Sequence, residues 1–207
     1  MRLYSMGEEI ASAVTHGIGA LLAIAGTVVL LVKGSGTWQI VSFSIYGASM
    51  FMLYISSTMY HSLTHFGAKK VFQILDHSSI FMLIAGSYTP FMLVSVRGAW
   101  GWSIWGVIMG LAVAGIIIEA VARDRFHKVQ LVIYVLMGWM CVIVMPEMKA
   151  SIPWDGIVWL TIGGVCYTSG VIFYVWTKLP YSHPIWHLFV LAGSISHYLA
   201  VLFYVAG

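Results

Sequence analysis

The chain has 207 residues, of which 60% are hydrophobic and 8% charged, with a formal net charge of +3. Soluble domains carry about 25% charged residues, so a water-soluble globule is excluded and no nucleic-acid partner is expected. Its two cysteines, Cys141 and Cys166, both fall inside apolar segments and give neither a disulfide framework nor metal-type spacing.

Runs of about 20 apolar residues, the length a helix needs to cross a bilayer, recur along the whole chain. Seven are found, at approximately 14–32, 38–60, 71–96, 100–122, 129–145, 154–175 and 184–205. They are continuous rather than alternating, and in lipid each backbone polar group must be satisfied internally. The fold class is therefore an all-α membrane protein, a seven-transmembrane-helix bundle that occupies 1–207 as one domain.

The first run contains AIA at 23–25, which resembles a signal-peptidase site. Apolar residues continue to Val32, however, and Arg2 is outweighed by Glu8 and Glu9, so the run reads as a retained span. Trp38, Trp100, Trp102 and Trp154 open later runs, as interfacial aromatics do. Pro90 in GSYTPF is read as a kink in the third run, with a substrate cleft beside it as the alternative. Gly106, Gly110 and Ala114 lie four apart in the fourth run and would let a neighbouring helix approach closely. The seventh helix is expected to begin at Pro184, whose fixed φ suits a first helical position.

If the seven helices alternate in direction, Arg2, Lys69, Lys70, Arg123, Arg125, Lys128 and Lys178 share one side, against Lys33, Arg97 and Lys149 on the other. The positive-inside rule then places the N-terminus in the cytoplasm and the C-terminus outside. Helix direction also collects the unusual polar residues on the cytoplasmic side. They are Glu9, Ser12 and His16 from the first helix, Ser57 and His61 from the second, Asp76 from the third, Glu119 from the fourth, and His183 and His187 from the seventh.

Intramembrane ionisable residues are costly to insert and therefore candidates for function. His61, His183 and His187 supply three imidazoles, a recurrent ligand set for catalytic Zn²⁺ with an open fourth position; interfacial histidines with no metal are the plain alternative. Asp76 would be a ligand, a partner that fixes an imidazole tautomer, or the general base for a water at the metal, and the last is favoured. A helix-start carboxylate meeting the macrodipole competes with these. Ser57 lies one turn before His61, where its hydroxyl would reach a developing oxyanion or bond its own helix backbone. Glu9, Ser12 and His16 share a helical face and would support the site, or cap and solvate the helix start. His197 lies about 15 Å beyond His187 along the seventh helix and is read as a packing or hydrogen-bonding residue. His65, His77 and His127 are read as loop or interface histidines.

These residues sit in EIASAVTH (9–16), SSTMYH (56–61), LDHSSIFMLIAGSYTPF (75–91) and SHPIWH (182–187). In these motifs the chain resembles the hemolysin III branch of the progestin and adipoQ receptor (PAQR) superfamily, in order and over almost its full length. The resemblance implies seven transmembrane helices, a cytoplasmic N-terminus and a zinc ion near the cytoplasmic face of the bacterial inner membrane. It also implies His61, His183 and His187 as ligands, Asp76 as the aspartate beside the metal's water, and Ser57 as the motif serine. The wider superfamily is similar to the alkaline ceramidases, which cleave a lipid amide.

The expected function is hydrolysis of a membrane lipid amide or ester, with Asp76 accepting the water's proton, Zn²⁺ or Ser57 stabilising the oxyanion, and a role in membrane lipid or energetics homeostasis. A sensor of membrane state with structural zinc is the second class. A pore-forming cytolysin is the third, disfavoured because polar residues crowd one end rather than forming a stripe through the membrane. A retinal-binding pump is set aside, since the seventh run contains no lysine for a Schiff base.

Overall fold

A computed structural model describes residues 4–206, apart from the side chains of Arg123, Asp124, His127 and Lys128. Arg2 and the side chains of Arg123, His127 and Lys128, which enter the charge count and the list of histidines above, therefore lie outside the described residues. The helices are α1 (Met6–Lys33), α2 (Thr37–Ser62), α3 (Phe66–Pro90), α4 (Gly98–Trp139), α5 (Met145–Ser151), α6 (Trp154–Val175) and α7 (Ser182–Tyr204). They contain seven segments long and apolar enough to span a membrane, as expected. The fourth and fifth spans, Gly98–Ala122 and Val129–Ser151, are joined through α4, which kinks at Ala122 (φ −138°, ψ 23°).

α1 begins well before the apolar run at Val14, because its start is capped. Ser5 Oγ accepts from the Glu8 amide at 3.3 Å, and Glu8 Oε2 accepts from the Ser5 amide at 2.9 Å. This extra length brings Glu9 and Ser12 onto a helix. α7 likewise begins at Ser182, ahead of the expected Pro184, after Tyr181 turns the chain in the left-handed region (φ 57°). Pro184 then falls in the first turn, where its missing N–H breaks no helical bond.

Pro90 does not act as a simple kink. The chain passes from α3 into a π-helical stretch, Phe91–Val96, whose wider turn accommodates the missing donor. The fifth span is also discontinuous, with a 3₁₀ stretch at Met140–Val144 before α5. Tyr88 closes this break, as its hydroxyl meets the Met137 and Gly138 carbonyls at 2.9 Å each and accepts from the Cys141 amide at 2.8 Å. The backbone groups freed by the break are thus satisfied inside the protein, as hydrocarbon requires.

The small-residue stripe in the fourth span does not pack a helix. Gly106, Gly110 and Ala114 face outward, and a Cβ built on either glycine meets nothing within 4 Å. Close approach occurs instead at Gly115, where an added Cβ would collide with the Phe81 ring. The stripe's four-residue spacing marks a face correctly but cannot say which way it points.

α3 is the most buried of the spanning helices. α2 packs between α1 and α3, α6 packs along α7, and α1 closes on α7. α4 meets α3 extensively but barely touches α6, leaving a loose seam on that side. Outward positions such as Leu21, Val28, Val121, Val132 and Phe203 are apolar and exposed, the surface expected to face lipid.

Candidate metal centre

Helix packing brings the last turn of α2 against the first turns of α7 and α1, and all three candidate histidines meet there. His61, His183 and His187 are buried, and one ligand nitrogen from each lies within 4.8 Å of the others. His183 Nε2 is 3.2 Å from His61 Nε2 and 3.1 Å from His187 Nε2. Tetrahedral coordination with metal–nitrogen bonds of about 2.0–2.1 Å would place such atoms about 3.3 Å apart.

The far nitrogens decide what these contacts are. His61 Nδ1 lies 2.6 Å from Glu9 Oε2, and Glu9 Oε1 also accepts from Lys69 Nζ at 2.7 Å. His187 Nδ1 lies 3.3 Å from the Ser12 carbonyl oxygen, with Thr15 Oγ1 at 3.5 Å. Carboxylates and carbonyls only accept, so both rings carry a proton on Nδ1, and in their neutral form present bare Nε2 lone pairs. His183 Nδ1 meets the Tyr4 hydroxyl at 3.1 Å. A proton on His183 Nε2 satisfies one of its two bare neighbours and leaves the other facing a ring it cannot bond. A cation at the centre satisfies all three, so the residues present fit a metal ion.

Glu9, Ser12 and His16 of α1 lie around the cluster in three different ways. Glu9 orients His61, the carboxylate–histidine arrangement that fixes tautomer and raises ligand basicity. Ser12 acts through its backbone carbonyl, and its hydroxyl has no hydrogen-bond partner. His16 stacks on His187, with ring centroids 3.5 Å apart and planes 8° from parallel. Both His16 nitrogens are buried without partners, so it packs against the cluster and does not join it.

Asp76 is buried beside this centre, in electrostatic range of His61, His77 and Glu119, but contributes no oxygen to the group of ligand atoms. Ser57 Oγ approaches the Asp76 carboxyl without reaching hydrogen-bond geometry to any group. Glu119 is turned to a separate contact, with Oε1 3.1 Å from His77 Nδ1, while the Tyr134 hydroxyl donates to the His77 carbonyl at 3.0 Å. His77 thus joins α3 to both halves of α4. His65 caps α3, its Nδ1 accepting from the Ala68 amide at 3.3 Å, and His197 bonds the Leu160 carbonyl oxygen at 3.1 Å.

Tyr4, Thr15 and Lys69 were not singled out in the sequence. Tyr4 precedes the first apolar run, where no periodicity marks it, and Lys69 counts there only as a topological charge. A reading of the acidic EIASAVTH face against the nearest basic residue across the α2–α3 turn would have found Lys69.

An apolar cavity of ≈ 120 Å³ lies within the seam between α3, α4, α6 and α7, lined by none of the three histidines. Its wall at the histidine end includes Trp186 and Tyr174. The Trp186 ring lies 5.0 Å from that of His183 and 5.1 Å from that of His187, and Tyr174 lies 6.1 Å from His183. A second cavity of ≈ 60 Å³ continues past Ser87, Tyr88, Trp139 and His197, which line both.

Fold and site together define an integral membrane protein of seven helices with a histidine cluster, able to hold a metal ion, where its first, second and seventh helices meet. The family described as haemolysin-III related matches residues 4–198. Hemolysin-3 of Bacillus cereus is 46% identical over 201 residues, covering 96% of this chain and 92% of the relative. The hemolysin-3 homolog of Bacillus subtilis (strain 168) is 43% identical over 205 residues, covering 98% and 96%. The human monocyte to macrophage differentiation factor is 29% identical over 204 residues, covering 94% and 83%. The chain belongs to the haemolysin-III family, within the PAQR superfamily.

Proposed function

We propose that His61, His183 and His187 hold one zinc ion and that the protein hydrolyses an amide or ester of a membrane lipid. The observation that carries this reading is the convergence of the three Nε2 atoms beside an apolar cavity. Three neutral imidazoles without cysteine form the ligand set of zinc sites that keep a position open for substrate. Zinc bound there would polarise a carbonyl and bring the pKa of a water toward neutrality.

The chain's own groups supply the remaining chemistry. Asp76, buried beside the cluster without joining it, takes a proton from the attacking water and returns one to the leaving amine or alcohol. Ser57 Oγ, which has no hydrogen-bond partner, donates to the developing oxyanion. Glu9 and the Ser12 carbonyl hold two rings in the tautomer that binds metal. Trp186 and Tyr174 pass the acyl chain into the cavity and exclude water from it. In this reading the charge bias places the site near the cytoplasmic face of the cytoplasmic membrane, where it serves lipid homeostasis.

A second reading is favoured by one feature, the sharing of ligands between α2 and α7. Here zinc is a structural clamp in a sensor of membrane state, and no turnover occurs. The haemolysin in the names of the Bacillus relatives suggests a pore, but the acidic residues Glu9, Asp76 and Glu119 gather at one end and form no path through the membrane.

Elemental mass spectrometry on detergent-purified protein, paired with a lipid-amide hydrolysis assay, tests the proposal. About one zinc per chain is expected, lost in folded His61→Ala, His183→Ala and His187→Ala together with turnover. Zinc without turnover on any amide or ester leaves the clamp, and a well-folded protein that binds no metal refutes both readings.

A further inference from the structure

One side chain from outside the helices reaches the histidine cluster. Tyr4 precedes α1 and the spanning segment that begins at Met6, yet its hydroxyl lies 3.1 Å from His183 Nδ1. Its ring lies 4.7 Å from that of His183, tilted by 35°, and meets the His61 ring edge-on at 5.7 Å. His61 stands in the last turn of α2 and His183 in the first turn of α7, where a helix gives its side chains little cover. Both are nevertheless buried, with Tyr4 packed against the two of them.

The chain beside Tyr4 is fastened down. Ser5 caps α1 through its paired contacts with Glu8, and Glu8 Oε1 accepts from the Tyr181 amide at 3.1 Å, which ties the start of α1 to the start of α7. Gly7 lets the Tyr181 hydroxyl come so close that a Cβ there would collide with it. Tyr4 is thus held at the cluster by the residues that follow it.

The far nitrogens of the three rings have partners of different kinds. Glu9 meets His61 with a carboxylate and Ser12 meets His187 with a carbonyl, groups that only accept. Thr15 Oγ1, 3.5 Å from His187 Nδ1, directs its hydrogen to the Ala11 and Ser12 carbonyls. The Tyr4 hydroxyl both gives and takes, so its contact with His183 persists whichever ring nitrogen carries the proton. With Nε2 protonated toward a neighbouring imidazole, Nδ1 accepts from Tyr4; with Nε2 turned to an ion, Nδ1 donates to it. The same two atoms stay in place while the direction of the bond reverses.

We propose that Tyr4 is the positioning residue of His183 and the lid of the metal centre: its hydroxyl holds the ring in one orientation with and without the ion, and its ring must move aside before the ion leaves. This inference rests on the zinc reading given above. The two properties separate by substitution, because phenylalanine keeps the covering ring and alanine keeps neither.

Zinc affinity, and the rate of zinc release into excess chelator, test the assignment on the full-length protein in detergent. Tyr4→Phe should weaken zinc binding about fivefold, the scale of one neutral hydrogen bond. Tyr4→Ala should release zinc at least about tenfold faster than Tyr4→Phe. Nitrogen-15 NMR of histidine-labelled, zinc-loaded protein reads position directly. In Tyr4→Phe one Nδ1–H resonance of the three bound imidazoles should shift, and the other two should stay. Wild-type affinity in folded Tyr4→Phe, or a shift of all three resonances, would overturn the positioning role. Equal release rates from the two variants would overturn the lid. A wild type that binds no zinc sinks the zinc reading itself, and this proposal with it.

Discussion

Glu9 offers the sharpest test of how the histidine cluster is held. Its two oxygens divide their work, one accepting from His61 Nδ1 at 2.6 Å and the other from Lys69 Nζ at 2.7 Å. Losing a carboxylate that orients a ligating imidazole typically costs 10–100-fold in metal affinity, or about 1.4–2.7 kcal/mol. Glu9→Gln keeps an acceptor of similar shape but exchanges a charge-assisted bond for a neutral one of about half the strength, so the loss should lie near tenfold. Glu9→Ala leaves His61 Nδ1 without an acceptor and the ring free to rotate, and should approach 100-fold. Lys69→Met leaves the His61–Glu9 contact in place and should cost less than either. Competition for zinc against a chromophoric chelator, with detergent-solubilised protein of verified fold, reads these constants directly. Wild-type affinity in folded Glu9→Ala would refute the assignment of Glu9 as the residue that orients His61.

Asp76→Asn should retain zinc and lose lipid turnover by about 100-fold or more, the usual contribution of a positioned proton acceptor; loss of the metal instead would make Asp76 a ligand. Tyr88→Phe removes the hydroxyl that closes the break in the fifth span and should cost about 1–3 kcal/mol, seen as a lower melting temperature, whereas an unchanged value would mean that water takes over the exposed carbonyls. Gly115→Leu, built into the Phe81 ring, should destabilise by about 1–3 kcal/mol or prevent folding, while Gly106→Leu, facing open space, should stay within about 0.5 kcal/mol. Equal melting temperatures for the two glycine variants would show that the fourth span packs through a different face.

Much of the site was legible because cost and direction are both written in the sequence. A histidine or carboxylate placed in a long apolar run is conspicuous, and alternation of the helices alone put His61, Asp76, His183 and His187 at one end. His61, His183 and His187 meet in the fold, with Glu9 and His16 beside them. Atomic roles were not legible. Ser12 stands out only as a polar residue on the face of Glu9 and His16, yet it is its backbone carbonyl that meets His187, and a carbonyl has no signature in residue identity. Tyr4 lay beyond the apolar run, and the capping box that draws α1 back to it depends on Ser5 and Glu8 rather than on hydrophobicity. The stripe of Gly106, Gly110 and Ala114 misled because a periodic face has no sign until tertiary packing chooses one. The broken fifth span escaped for a related reason, since a tyrosine on another helix supplies what the backbone loses there.

The cluster draws its histidines from the second and seventh helices and their hydrogen-bond partners Glu9 and Ser12 from the first. Chain emergence runs the other way round: α1 and α2 are in place long before α7 is synthesised. Until the last helix arrives, the cluster holds only one of its three imidazoles, and a chain cut short before His183 has nothing to close around an ion. An ion held at the proposed site would therefore mark completion of the whole polypeptide, and because binding energy at such a site is also folding energy, it would act as a latch between the two ends of the molecule.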